Sequence, residues 1–208
     1  MSQKIVVVYG AATLGQELVQ AVATAGCEVI LVDHSEEKLK KGIARVEASL
    51  DAEIARWGLT SSEKRAIMSR IKGSTQIGEA AKGWLVIETL KETLEVKRQL
   101  FKELDALCKP EAILASNSAT ISITEIAAEC KYPQRTIAMH FQSPIVKVPL
   151  VEISRGLMTD DATYQAAIRF ANMMRKTVIS VYDCPGFVTT RIILPMINQA
   201  VKVLEEGI

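Results

Sequence analysis

The chain has 208 residues, 49% hydrophobic and 24% charged, with a formal net charge of +1. That length suits one domain, or one domain with an appendage, and the balance is that of a globular protein. So small a net charge supplies no general attraction to nucleic acid or to an anionic membrane, and no apolar run approaches the length of a membrane span.

Met1-Ser2-Gln3-Lys4 runs directly into Ile5–Tyr9, an apolar run of strand length, without the long apolar region and cleavage site of a signal peptide. The expectation is a cytoplasmic protein. A Gly-rich turn follows, then a helix over Leu14–Ala25 with Leu14, Leu18, Val19 and Val22 at helical spacing. Glu28–Val32 is a second buried strand, closed by Asp33. Glu36–Trp57 has the pattern of a long charged helix. Thr60-Ser61-Ser62-Glu63 is a capping box that starts another helix, through about Arg70. Trp84–Glu88 is a strand and Thr93–Leu107 a helix, ended by Pro110. Ala112–Ala115 is a strand, Thr124–Cys130 a short helix and Thr136–His140 a strand. Val151–Ser154 is a strand, Asp160–Met174 a helix, and Thr177–Val181 the last strand.

Strands alternate with helices throughout. The expected fold is therefore α/β, a doubly wound, mostly parallel sheet with helices on both faces. Composition shifts at Cys184-Pro185-Gly186, which divides the chain into a domain at 1–186 and an appendage at 187–208. Phe187–Glu206 reads as a helix, apolar on several faces, with Pro195 inside it. Such a helix expects burial on every side, so it is read as the start of a helical domain whose remainder lies outside the chain, or as a contact for a partner chain. The four cysteines have no metal-ligand spacing and lie in apolar segments. They are expected to be buried free thiols, and no metal site is expected.

The turn Gly10-Ala11-Ala12-Thr13-Leu14-Gly15 fits G-x-G-x-x-G except that Ala12 takes the middle glycine's place. Gly10 permits the tight turn after the strand. Gly15 lets the helix pack on it. The pyrophosphate of a dinucleotide then sits on the helix N-terminus, where N–H groups and the helix dipole favour an anion. Asp33 ends the second strand, where a carboxylate holds the adenosine ribose. It would repel the 2′-phosphate of NADP, and His34-Ser35-Glu36-Glu37 supplies no arginine to receive one, so the expected cofactor is NAD.

His34 and His140 are the chain's two histidines. His34 follows the ribose-binding position. His140 ends a strand, where ligands collect in open α/β sheets, and an imidazole works near neutral pH as base in one direction and acid in the other. Glu152 lies twelve residues on, after a reversal containing Pro144 and Pro149.

Several separated stretches, in order, resemble the 3-hydroxyacyl-CoA dehydrogenase family, including the bacterial 3-hydroxybutyryl-CoA dehydrogenases. They are Gly10–Gly15, Leu31-Val32-Asp33, Ile87-Glu88, Glu92 with Lys97, Ser116-Asn117-Ser118-Ala119-Thr120, His140-Phe141, Pro149-Leu150-Val151-Glu152 and Pro185-Gly186-Phe187. The resemblance implies a Rossmann-type NAD-binding domain followed by the first helix of an all-α domain that supplies a homodimer contact. It implies oxidation of a 3-hydroxyacyl-CoA to a 3-ketoacyl-CoA with NAD, or the reverse. By the same resemblance, His140 and Glu152 form the catalytic pair, and Gly10, Ala12, Thr13, Leu14, Gly15, Asp33, Glu92, Lys97 and Asn117 contact the cofactor. Ser49 and Arg56 match positions that hold coenzyme A, and Ala119 and Thr190 match positions beside the substrate.

The chain departs from the family where Ala119 replaces a serine, Thr190 an asparagine and Ser143 another asparagine. Strand alternation would turn Ser118 and Thr120 away from the face that Ala119 occupies. Ala119, Thr190 and Ala12 motivate one alternative, a catalytically weak or silent homologue that binds NAD or acyl-CoA; a second alternative is a dehydrogenase of free 3-hydroxy acids.

Overall fold

The structure, a computed structural model, describes residues 5–208; Met1–Lys4, read above as the lead into the first strand, lie outside them. The elements run β1 (Val6–Tyr9), α1 (Thr13–Thr24), β2 (Val29–Val32), α2 (Glu36–Ala55), α3 (Ser61–Met68), β3 (Ile71–Ser74), β4 (Leu85–Glu88), α4 (Leu94–Leu107) and β5 (Ile113–Ser116). Then follow α5 (Ile123–Ile126), β6 (Thr136–Phe141), β7 (Leu150–Arg155), α6 (Asp161–Met173), β8 (Thr177–Tyr182) and α7 (Thr189–Glu205).

All eight strands form one sheet in the order β3-β2-β1-β4-β5-β6-β7-β8. Every neighbouring pair is parallel except β6 and β7. Because both faces are covered, the central strands are apolar except at their C-terminal ends, where β4 closes on Glu88 and β5 on Ser116. Val6, Val8 and Leu31 join one core under α1, α2 and α6. Val7, Ile30 and Val32 join the other under α4 and α5. The chain builds outward from β1 to β3 and then returns to β4 on β1's other side. The resulting crevice, outside the C-terminal ends of β1 and β4, is where such sheets bind ligands.

Helix starts follow their side chains. The expected capping box is present at α3, where the Thr60 hydroxyl accepts from Glu63 N–H and the Glu63 carboxylate accepts from Thr60 N–H. Asp160 caps α6 by accepting from Thr163 N–H.

The structure corrects the sequence reading in several places. Ile71-Lys72-Gly73-Ser74 is an edge strand that pairs only with β2; with one apolar residue it carries no periodic signal, and one neighbour suffices to hold it. The helix expected over Thr124–Cys130 is one α turn at Ile123–Ile126, then a 3₁₀ turn at Ala127–Glu129. The Asp105 carboxylate accepts from Lys131 N–H and Tyr132 N–H, which draws the chain off the helix axis. All four cysteines are free, but only Cys108 is fully buried; Cys27, Cys130 and Cys184 are half-buried. No helix of the described residues is long and apolar enough to cross a membrane.

α7 forms as expected, with Pro195 inside it, and none of its residues is buried. Ile192, Leu194, Met196 and Leu204 stand exposed along it.

Gly15 is the most closely packed of the described glycines: a Cβ there would lie 1.8 Å from the Gly10 carbonyl oxygen. Gly15→Ala should cost more than about 3 kcal/mol in urea denaturation. Gly78→Ala, with nothing within 4 Å of the added carbon, should stay within about 0.5 kcal/mol. Equal effects would contradict this account of the turn.

Candidate active site

Two adjoining cavities open at the C-terminal edge of the sheet and share Leu14, Thr89 and Leu90. The larger, about 1080 Å³, is walled by the Gly10–Leu14 turn and Asp33. Gly10 holds φ at +113°, and a Cβ there would meet the Thr89 hydroxyl at 2.8 Å. Ala12 is the N-cap of α1 and supplies no side-chain cap, so the first N–H groups of the helix have no capping oxygen. Asp33 is 3% exposed. Its Oδ2 accepts from Ala11 N–H at 2.9 Å and its Oδ1 from Ser35 N–H at 3.0 Å, which ties the end of β2 to the turn after β1.

Cations also line this cavity, although none follows Asp33 directly. Lys38, Lys41 and Arg45 face it from α2. Spaced three and four apart, they share one side of the helix. The expectation of no arginine near Asp33 considered only the first residues after β2 and missed this.

The smaller cavity, about 310 Å³, is lined by Glu92, Lys97, Asn117, Ala119, Thr120 and His140, with the three shared residues. Lys97 is no ordinary surface lysine. It is 1% exposed, and its Nζ donates to Glu88 Oε1 at 2.7 Å and lies 3.3 Å from Glu92 Oε2. Glu88 also accepts from the Ser116 hydroxyl and from Leu90 N–H. Burial pushes the Glu88 carboxyl up, against the pull of the Lys97 ammonium and these donors. Glu92 Oε1 accepts from the hydroxyls of Ser118 and Thr120 and from the N–H groups of Ala119 and Thr120. Burial opposes its charge, but these donors and Lys97 outweigh burial and bring the carboxyl down to about 2.

The 118–120 segment therefore wraps around Glu92. β5 stops at Ser116, so strand alternation does not govern the residues beyond it. Ala119 and Thr120 line the same cavity, which overturns the expectation that they face apart. Asn117 accepts at Oδ1 from Phe141 N–H, 2.8 Å away, and so joins the ends of β5 and β6.

His140 and Glu152 are direct partners across the antiparallel β6–β7 pair, an arrangement that brings side chains within contact. His140 Nδ1 lies 2.8 Å from Glu152 Oε2. Glu152 is fully buried, and its Oε1 accepts from Val188 N–H at 3.0 Å and Thr189 N–H at 2.9 Å. Burial works against the Glu152 charge, but the bonds from His140, Thr189 and Val188 prevail and hold the carboxyl below its usual range. An ionised carboxylate can only accept. Nδ1 therefore carries the imidazole proton, and Nε2 is left to the cavity that His140 lines. The Phe187 ring packs beside the imidazole, with ring centroids 5.7 Å apart.

Other expected site residues lie apart from this cluster. Ser49, half-buried, and Arg56, exposed, sit toward the end of α2, outside the linings of both cavities. Thr190 is half-buried in the first turn of α7 and likewise outside both linings. Ser143 donates its hydroxyl to Glu17 Oε1 at 2.9 Å, while Ile145 N–H binds Glu17 Oε2; together they tether the β6–β7 reversal to α1. Sequence reasoning missed Glu88 as Lys97's partner, and Gln142 and Thr189 beside the His–Glu pair. The apolar β4 run ending in an acid, nine residues before a lysine on the following helix, was a readable sign of the first. Nothing local marked the others.

Residues 5–184 match the family described as 3-hydroxyacyl-CoA dehydrogenase, NAD binding domain. The chain belongs to the 3-hydroxyacyl-CoA dehydrogenase family. It is 42% identical over 205 residues to a 3-hydroxybutyryl-CoA dehydrogenase of Bradyrhizobium diazoefficiens, covering 99% of this chain and 70% of the relative. It is 33% identical over 201 residues to a 3-hydroxybutyryl-CoA dehydrogenase of Clostridioides difficile, covering 97% and 72%. The crystal structure of (S)-3-hydroxybutyryl-CoA dehydrogenase from Ralstonia eutropha superposes with a TM-score of 0.94 at 40% identity, covering 99% of this chain and 73% of that one.

The cofactor of this family domain is NAD, and the residues present fit it. The approach at Gly10 that a Cβ would obstruct, the N-terminus of α1 and the Asp33 carboxylate stand around the larger cavity. A carboxylate at the ribose end of such a site would disfavour the 2′-phosphate of NADP, and Asp33 lines this cavity together with the cations of α2. NAD should bind at least about tenfold more tightly than NADP. Asp33→Asn removes the charge and keeps an acceptor for Ala11 N–H. With Lys38, Lys41 and Arg45 still in place, it should raise NADP affinity relative to NAD by about tenfold or more. An unchanged ratio in calorimetric titration would refute the ribose assignment.

Proposed function

We propose that this chain oxidises the C3 hydroxyl of a 3-hydroxyacyl-CoA, and catalyses the reverse reduction, with His140 as the proton acceptor and Glu152 as its orienting partner. The observation that carries this reading is the pairing of His140 with the buried Glu152, 2.8 Å apart, at the wall of a cavity adjoining the Gly-rich turn. NAD, when bound, supplies the hydride acceptor.

The chain's own groups do the rest. In the oxidation, His140 Nε2 takes the hydroxyl proton. Glu152 holds the imidazole with Nδ1 protonated and stabilises the imidazolium that forms. The Lys97 ammonium stays at the cavity floor, fixed by Glu88. Ala119 offers no hydroxyl to the reacting oxygen, but Thr120 offers one from the same wall. Its present acceptor, Glu92 Oε1, keeps three other donors if that hydroxyl turns to substrate. Ser49 and Arg56 are assigned to coenzyme A, and Thr190 to the substrate side, by family resemblance. The reading extends to a cytoplasmic homodimer formed through the region that begins at α7, in keeping with the apolar side chains α7 exposes.

Consumption of NADH with acetoacetyl-CoA, followed by absorbance, tests the activity, and free acetoacetate in the same assay tests the need for the thioester. His140→Ala should lower turnover by about 10²–10⁴, and Thr120→Val by about tenfold or more. Loss of less than about tenfold on removing His140 would rule out its role as base. No turnover from a protein that binds NAD would favour the silent homologue.

A further inference from the structure

The first turn of α7 is bound into the His140–Glu152 pair. Gln142 follows His140 by two residues, the first beyond the end of β6. Its Nε2 donates to the Thr189 hydroxyl at 2.6 Å. Thr189 N–H and Val188 N–H both donate to Glu152 Oε1, and the Thr189 hydroxyl helps to hold that carboxyl below its usual range. The hydrogen bonds converge on Glu152: the Gln142 amide donates to the Thr189 hydroxyl, Thr189 N–H donates to Glu152 Oε1, and His140 Nδ1–H donates to Glu152 Oε2. Apart from this docked turn and the buried Phe187 ring before it, α7 is exposed along its length.

We infer that Gln142 and Thr189 are positioning residues of the proton-accepting pair, and that through them the seating of α7 sets the orientation and charge of Glu152. Neither residue lines either cavity, so neither is placed to touch substrate or cofactor. Their effect passes through Glu152. A carboxylate held by more donors shares less of its charge with the imidazolium. The other charged groups at the cavity that His140 lines are Glu92 and Lys97; they are held by Glu88 and the 118–120 segment, whose Ala119 carbonyl accepts from Gly186 N–H just before α7. A movement of α7 would therefore reach the proton acceptor directly, without passing through the sheet.

This inference rests on the role proposed for His140, so His140→Ala is measured alongside; if it leaves turnover intact, that reading fails first and separately. Thr189→Val removes the hydroxyl and keeps the backbone N–H and the volume. In the full protein it should lower kcat by about 10- to 150-fold, the effect of losing one hydrogen bond to a charged group. KM for NAD and for the acyl-CoA should stay within about twofold. The acid limb of the pH profile of kcat/KM should move to higher pH by at least about 0.3 unit. Thr189→Ser, which restores the hydroxyl, should recover most of the loss. Gln142→Ala should act in the same direction, and the double variant should fall short of the product of the two effects, because both break one chain of bonds. Unchanged kcat in Thr189→Val, a change confined to KM, failure of serine to rescue, or strict additivity would each overturn the inference.

Discussion

The site depends on one buried carboxylate. Glu152 sits where β6, β7 and the start of α7 meet, with one oxygen on His140 and the other on the backbone of α7. Taking a carboxylate out of water costs several kcal/mol unless its oxygens are satisfied, and removing one partner from such a pair costs about 3–5 kcal/mol. Glu152 meets that cost with donors on both sides, and its charge survives burial for that reason. The reversal of direction between β6 and β7 is what puts Glu152 opposite His140. A parallel partner strand would have needed a long crossover and could not have followed so closely in sequence.

A second buried charge organises the cofactor side. Glu88, Ser116 and Ala138 are aligned across β4, β5 and β6, so the sheet register sets the floor beneath the smaller cavity. Glu88 fixes Lys97, Lys97 approaches Glu92, and Glu92 gathers the 118–120 segment. Asn117 then bridges to Phe141, the neighbour of His140. The bonds that start at Glu88 thus lead, through Asn117 and the backbone of Phe141, to the strand end that carries His140. A half-satisfied network of this kind would be worse than an apolar wall, which accounts for how many of its carboxylate oxygens have donors.

Much of this was legible in the chain because it is local. Apolar runs of strand length, helical spacing and the Gly10–Gly15 turn mark the doubly wound sheet, and Asp33, singled out at the end of β2, lies in the wall of the larger cavity. The edge strand β3 was not legible, since a strand exposed on one side needs little apolar content. The Thr120 hydroxyl was misread because alternation was extended past the end of β5. Arg45 was missed because its proximity to Asp33 arises from two turns of helix. The bonds from Gln142 to Thr189 and from α7 to Glu152 join residues 36 or more positions apart, and no periodic pattern reports such contacts.

The central claim is that Glu152, ionised and doubly held, keeps the His140 proton on Nδ1 and leaves Nε2 free to accept. Heteronuclear NMR of protein labelled at the imidazole nitrogens reads this tautomer directly, and the chain's only other histidine, His34, can be replaced by glutamine to leave one ring. At about pH 8, where an imidazole is ordinarily neutral, the account expects the protonated-nitrogen signal at Nδ1 and the unprotonated signal at Nε2, and in Glu152→Gln a loss of that preference. A proton on Nε2 in the unmodified pair would contradict it.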